Sequence, residues 1–447
     1  MSLKRGIIST FFVQAPTLMM YFVSSMCMTR ILGNEGRGAY ALLQNQVSLL
    51  AMLFGLSLSL GITYFTTRNN GDPSQVVRVA ATGFLFNLVG VGAALLFIFH
   101  SSGASAVFLP AEGRHWGYLL YLLLCILAGQ VNGWISAILL SLKKFRTLNQ
   151  LGFLASALNA VGFSILYFAR AHIGPGHGLP MVLAISLGAI LLMTTVWCMV
   201  YVRVVGIMPV PTWDWAVLRP FLAFVLISYV SDLINLINYR FDVWVVGTSA
   251  GTAQLGLYAV AVGLGQLFFY IPEPFSRVVQ PYLYGDSGPA MIEKYKVITR
   301  LNFTTVAVLC LALGLTASWV IPLLYGNAFL DAAAPLYWLL PGIVFVSSSK
   351  LVTPLVVQGG LIRYYLYATS AAAVITVVLD LLLVPAWGIR GAALASTIAY
   401  AALLIFQSAA VRYKMGIKVS DMFLIKNSDA VKLRLFLKDR LSALRSV

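Results

Sequence analysis

The chain has 447 residues, 60% of them hydrophobic and only 10% charged. A soluble domain carries about 25% charged residues, so a water-facing surface of this size is excluded, and so is a disordered chain. The formal net charge of +16 is the mark of basic loops retained on the inner side of a membrane, and no nucleic-acid partner is expected.

Apolar runs separated by polar or Gly/Pro-rich breaks predict twelve spanning helices. The first six cover roughly 7–30, 40–66, 77–99, 116–142, 148–168 and 180–202, and the second six 217–248, 256–283, 297–322, 332–357, 363–384 and 389–411. Each run reaches the roughly 20 residues that a helix needs to cross the hydrocarbon core, whereas strands would be about 10 residues with strict alternation. With the N-terminus inside, the cytoplasmic loops hold thirteen Lys and Arg and the outer loops five, namely Arg30, Arg37, Arg114, Arg170 and Arg390. That bias places both termini in the cytoplasm, and an even number of spans agrees. The fold class expected is all-α integral membrane, with twelve transmembrane helices in two six-helix lobes. The lobes are 1–205 and 206–415, followed by a basic tail at 416–447.

Gly38-Ala-Tyr40 opens the second span and Gly256-Leu-Tyr258 the eighth. The two copies start on the same side, which describes a parallel repeat about an axis along the membrane normal. Pro16, Pro272, Pro274, Pro341 and Pro354 interrupt spans. Broken helices around a cavity are a transporter feature, and the simpler reading of each proline is that neighbouring helices satisfy the freed carbonyls. In the tail, Ala430, Leu433, Leu437, Leu441 and Leu444 form an amphipathic stripe suited to an anionic membrane surface.

Charges within spans carry the functional signal, because hydrocarbon makes them costly. They are Asp232, Arg240, Asp242, Glu273, Arg277, Lys350 and Asp380, all in the second half. Counted along the helices, Glu273, Arg277 and Lys350 fall towards the cytoplasm. Arg240, Asp242 and Asp380 fall towards the outer side, as does Arg30, and Asp232 lies deepest. Charges at two mouths suit a cavity that opens alternately to each face. Glu273 and Arg277, four residues apart, also read as a self-neutralising pair, and Asp242 and Glu273 are the candidates for gating or ion pairing. The first half contributes amides instead, among them Gln44, Asn45, Gln46, Asn87, Gln130 and Asn159, which suit either sugar hydroxyls or interhelical hydrogen bonds. The four cysteines are scattered, with no metal-ligand spacing. No nucleotide-binding or hydrolase motif occurs, and the outer loops are short, so no catalytic residues are expected.

Several segments resemble the bacterial polysaccharide flippases, the O-antigen and exopolysaccharide (Wzx-type) translocases of the MOP superfamily, whose fold is MATE-like. They are Arg30-Ile-Leu-Gly-Asn-Glu-Gly-Arg-Gly-Ala-Tyr40, Tyr239-Arg-Phe-Asp242 with Leu255-Gly-Leu-Tyr258, and Leu324-Tyr-Gly326 with Pro335-Leu336. The most specific is Leu383-Val-Pro385-Ala-Trp-Gly388-Ile-Arg-Gly391-Ala-Ala-Leu-Ala395. The resemblance covers about residues 5–411, and Asp380 departs from it, since many members carry Asn there.

It implies a multi-pass inner-membrane flippase that moves undecaprenyl-diphosphate-linked oligosaccharide outwards. Its partners would be that lipid-linked oligosaccharide, membrane lipids, and the polymerase and glycosyltransferases of the same pathway. Arg277 and Lys350 are then expected to capture the diphosphate at the cytoplasmic mouth, and Arg30 and Arg240 to hold it at the outer one. Asp232, Asp380, Thr376 and Ser396 or Thr397 are expected to form a monovalent-cation site between helices 7, 11 and 12, as lipid-II flippases have. No cofactor is expected beyond Na+ or H+ coupling. The competing reading is a cation-coupled small-molecule (multidrug) exporter of the same superfamily.

Overall fold

The computed structural model describes residues 3–68, 73–110, 115–142, 144–172, 177–272, 289–359, 361–424 and 426. The helices are α1 (Leu3–Gly55), α2 (Leu58–Arg68), α3 (Ser74–His100), α4 (Ser102–Phe108), α5 (Trp116–Ser141), α6 (Phe145–Phe168) and α7 (Gly178–Val204). There follow α8 (Trp215–Ser249), α9 (Gly251–Gln266), α10 (Pro289–Tyr325), α11 (Ala333–Gln358), α12 (Ile362–Met415) and the short α13 (Val419–Phe423). Among the described residues, eight helices are long and apolar enough to cross a membrane, or nine when α1 and α2 are joined as one bent span.

That number is lower than the twelve predicted because two pairs of predicted spans run on as single helices, each with one glycine break, and because α8, predicted as a span at 217–248, is not among the helices that are apolar enough. Gly33 interrupts α1 at φ 64° and Gly388 interrupts α12 at φ 58°. Both values lie in the left-handed region, which glycine enters without steric cost. At Gly388 the chain doubles back, for a Cβ on Gly391 would come within 2.2 Å of the Leu383 carbonyl oxygen. Pro16, Pro341 and Pro354, by contrast, lie inside helices that continue through them.

A third break carries no glycine. Leu56 and Ser57 take φ values of 47° and 50°, and α1 and α2 meet there at 51°. A break of this kind frees backbone carbonyls. The Tyr229 hydroxyl of α8 donates to the Leu53 carbonyl at 2.8 Å, which satisfies one of them.

The surface is apolar, as a bilayer requires, and the largely apolar interior also holds polar groups. Trp319, Phe168, Leu315 and Leu323 are largely exposed, while Asn45, Gln46, Asn87 and Asp380 are fully buried. The amides mostly bond between helices: Gln130 donates to Asn87 at 2.9 Å and the Trp244 indole to Gln46 at 3.3 Å. One set of apolar clusters joins α1, α3, α5, α6 and α7, and another joins α9, α10, α11 and α12. Helices α1 and α8 contribute to clusters on both sides.

The start of the tail is packed against protein. Met422 is fully buried, Arg300 donates to the Asp421 carbonyl at 2.6 Å, and Phe303 and Phe423 are in ring contact. The hydrogen bond from Lys426 holds the Asp421 carboxyl below its ordinary range. The amphipathic stripe predicted from Ala430 to Leu444 lies outside the described residues.

Candidate functional site: a cationic cavity beside a buried acidic pair

A cavity of about 420 Å³ lies between α1, α6, α8 and α9. Arg37 and Arg240 line it from opposite halves of the sequence, with Tyr21, Ser24, Ser25, Gln44, Ser48, Ser156, Asn159 and Gln266. Among the described residues no carboxylate lines it. The first half supplies its polar face by helical spacing. Arg37, Tyr40, Ala41, Gln44 and Ser48 recur at the three- and four-residue steps that bring side chains to one side of a helix. Gln44 is held in place by donating to the Tyr121 hydroxyl at 2.7 Å and the Tyr40 hydroxyl at 3.1 Å.

Arg37 was not among the expected site residues, because the polar Gly33–Gly38 stretch reads as a loop. The chain kinks at Gly33 and resumes as helix at once, so Arg37 enters the cavity. The five-position spacing from Arg37 to Ser48 was the signal available in the sequence.

Arg30 goes elsewhere. Its guanidinium donates to the Leu324 carbonyl at 2.6 Å, to the Leu323 carbonyl, and to the Tyr167 hydroxyl at 3.1 Å. Leu323 and Leu324 end α10, where carbonyls lack helical partners. Arg30 thus caps one helix from another and stands outside the cavity lining. Lys350 also stands outside that lining, with its ammonium 4.1 Å above the Phe269 ring. Glu273 and Arg277 lie outside the described residues.

The expected cation group is only partly brought together. Asp232 is separated from Asp380, since it accepts from Ser57 at 2.5 Å, at the break between α1 and α2. The carboxylate that stands with Asp380 is Asp242. It accepts from the Tyr258 hydroxyl at 2.5 Å, and that hydroxyl also meets Ser396 and lies within electrostatic reach of Asp380. Thr397 turns away and donates to the Trp338 carbonyl of α11 at 2.6 Å. Asp380 is fully buried, and both its oxygens and the Thr376 hydroxyl have no hydrogen-bond partner among the described residues. Asp232 lies ten residues before Asp242 on α8, about 15 Å along the helix, and counting along α8 could not say which neighbour it meets.

Asp242, Asp380, Thr376 and Ser396 are hard oxygen donors, and the orphaned oxygens fit a small cation or a shared proton. Tyr258 connects this group with the cavity, because the residue that donates to Asp242 is itself part of the cavity wall. Arg240, two residues before Asp242, lines the same cavity.

The whole fold is shared with known transporters. The structure of lipid II flippase MurJ in an inward closed conformation aligns with a TM-score of 0.73 at 12% identity, over 97% of this chain and 93% of that one. An inward-facing multidrug resistance MATE family transporter of the MOP superfamily aligns with a TM-score of 0.70 at 16% identity, over 89% and 94%. A MOP superfamily transporter from Pyrococcus furiosus, described as having a binding pocket of reverse polarity, gives 0.58 at 16% identity, over 93% and 96%. No curated protein matches the chain in sequence. The sequence profile of one family does, over residues 27–334, and this multi-pass membrane chain therefore belongs to the polysaccharide biosynthesis protein family.

Proposed function

We propose that the protein is a flippase of the bacterial inner membrane. Its cargo would be an oligosaccharide linked to undecaprenyl diphosphate, moved outwards by alternating access for surface polysaccharide synthesis. The twelve-span count, with both termini in the cytoplasm, is part of the reading: α1 and α12 each count as two spans, divided at Gly33 and Gly388.

The observation that carries it is the lining of the cavity. Two guanidinium groups face one space that no described carboxylate enters, among hydroxyls and amides. Guanidinium forks match phosphate oxygens in a bidentate way, and hydroxyls and amides match sugar. A multidrug exporter taking cationic compounds would call for the opposite charge, so the lining favours an anionic cargo. In this account Arg37 and Arg240 hold the diphosphate, and Lys350 and Arg277 remain candidates for its first capture from the cytoplasmic side.

Coupling is assigned to Asp242 and Asp380 with Thr376 and Ser396. Loading this pair with Na+ or H+ changes the charge behind Tyr258 and Arg240, and hence the hold of the cavity on an anion. The polymerase and glycosyltransferases of the pathway would supply and consume the cargo.

The test in cells is export. Arg37→Ala and Arg240→Ala are expected to reach normal membrane levels, to lose most surface polysaccharide, and to accumulate the lipid-linked intermediate. Full surface polysaccharide in the double variant would overturn the reading.

A further inference from the structure

The Gln44 amide is held by a chain of hydrogen bonds that begins behind the cavity wall. Gln44 lines the cavity from α1. Its Nε2 lies 2.7 Å from the Tyr121 hydroxyl of α5 and 3.1 Å from the Tyr40 hydroxyl. Tyr121 is buried and stands outside the lining. Its hydroxyl lies 3.1 Å from the Ser186 hydroxyl of α7, and Ser186 itself donates to the Leu183 carbonyl at 3.0 Å. The Cys125 thiol, one turn along α5, also meets the Tyr121 hydroxyl.

These protons decide which end of the amide faces the cavity. A hydroxyl has one proton to give and two lone pairs with which to accept. Ser186 gives its proton to a carbonyl, which can only accept, so it offers Tyr121 an oxygen. Tyr121 donates to that oxygen, and its own oxygen is left to accept from Gln44. The amide thus gives its two N–H groups to the two tyrosines, and its Oε1 has no hydrogen-bond partner among the described residues. Tyr40 carries the converse. Its oxygen accepts from Gln44, and its proton has no acceptor among the described residues.

We infer that Gln44 is a specificity-determining residue that presents only an acceptor to the cargo, and that Tyr121 is the positioning residue that fixes its sense. The inference rests on the reading of this cavity as a site for lipid-linked sugar, and it names the group that meets Gln44. That group is a donor, a sugar hydroxyl, with the Tyr40 proton beside it for an oxygen of the same sugar. A phosphate oxygen only accepts and gains nothing at Gln44, so the diphosphate is left to Arg37 and Arg240.

The test is native mass spectrometry of the full chain with two probes. One is a hexose disaccharide linked to undecaprenyl diphosphate. The other is the same lipid with every sugar hydroxyl methylated, which keeps the acceptor oxygens and removes the donors. The wild-type chain should prefer the hydroxyl form. Gln44→Leu should shrink that preference roughly fivefold, as the loss of one hydrogen bond would. Tyr121→Phe keeps Gln44 but frees its amide to turn, and should shrink the preference by a smaller factor. A role for Tyr121 in packing alone would leave the preference unchanged. Full wild-type preference in Gln44→Leu would overturn the inference, and so would full preference in Tyr121→Phe. If Arg37→Ala with Arg240→Ala still weakens both probes in that case, the failure belongs to Gln44 alone. A wild-type chain that retains neither probe would overturn the cargo reading and this inference with it.

Discussion

Gly38 and Gly256 stand back to back where α1 meets α9. A Cβ on Gly38 would lie 1.8 Å from the Thr252 carbonyl oxygen, and one on Gly256 would lie 1.9 Å from the Asn34 carbonyl oxygen. The relation is reciprocal, since each glycine faces the carbonyl four residues before the other. Two-fold pseudosymmetry between the halves produces such a contact. Two residues on, Tyr40 and Tyr258 both line the central cavity. Small residues let helix backbones approach this closely, and such close packing is one of the forces that hold helices together in lipid.

The glycine contact predicts a non-additive pair of substitutions. Gly38→Ala and Gly256→Ala each force the two backbones apart, at a cost of about 1–3 kcal/mol. Once they are apart, the second substitution should cost much less than the first, because the two share one contact. Thermal unfolding of the two single variants and the double variant in detergent measures this. A double variant with the full sum of both losses would show that the residues act separately.

Arg30 is predicted to act on stability rather than on cargo. It joins α1 to the end of α10 and to Tyr167. Arg30→Ala and Arg30→Lys should both lower the melting temperature and membrane abundance, since an ammonium lacks the planar fork of donors. Transport per folded molecule should change little. A normal melting temperature with lost transport would return Arg30 to the substrate path.

Coupling should pass through the Tyr258 hydroxyl. Asp380→Asn and Asp242→Asn should each abolish the dependence of transport on an imposed Na+ or H+ gradient, while Asp232→Asn should keep it. Tyr258→Phe removes the bond to Asp242 but keeps the ring in the cavity wall, so it should weaken gradient dependence more than cargo binding. Full gradient-dependent transport in Asp380→Asn would contradict this assignment.

The break at Leu56–Ser57 is predicted to hold the end of the molecule away from Gly38 closed. There Ser57 bonds to Asp232, Tyr64 stacks on Phe224 with centroids 4.3 Å apart, and α2 presses Gly61 against Phe221 and Val225. Asp232→Ala with Ser57→Ala should loosen this closure and raise the labelling, by an aqueous thiol reagent, of a cysteine placed at the buried position of Val225. Unchanged labelling would mean that the aromatic contacts close this end without the polar bond.

Much of this arrangement can be read from the residues. The paired Gly-x-Tyr segments mark the two-fold contact, and Leu383–Ala395 marks the doubling back at Gly388. The in-span charges of the second half include Arg240, Asp242 and Asp380, which meet at or behind the cavity. What could not be read depends on contacts between distant elements. Asp232 and Asp242 are both aspartates within one predicted span, and the arginine near Asp242 does not tell which partner either carboxylate meets. Only packing shows that one meets Ser57 and the other Tyr258. Arg30 and Arg37 both flank Gly33, and the kink there sends one to the end of α10 and the other into the cavity.

The most direct measurement is flipping by the purified full chain in vesicles loaded with a polyprenyl-diphosphate oligosaccharide. Exposure of the sugar to a membrane-impermeant reagent reports the movement. The account predicts that the wild-type chain moves the cargo and that Arg37→Ala with Arg240→Ala does not, although the variant folds and inserts normally. Equal rates for the two chains, or a wild type that moves cationic dyes but not this lipid, would contradict it.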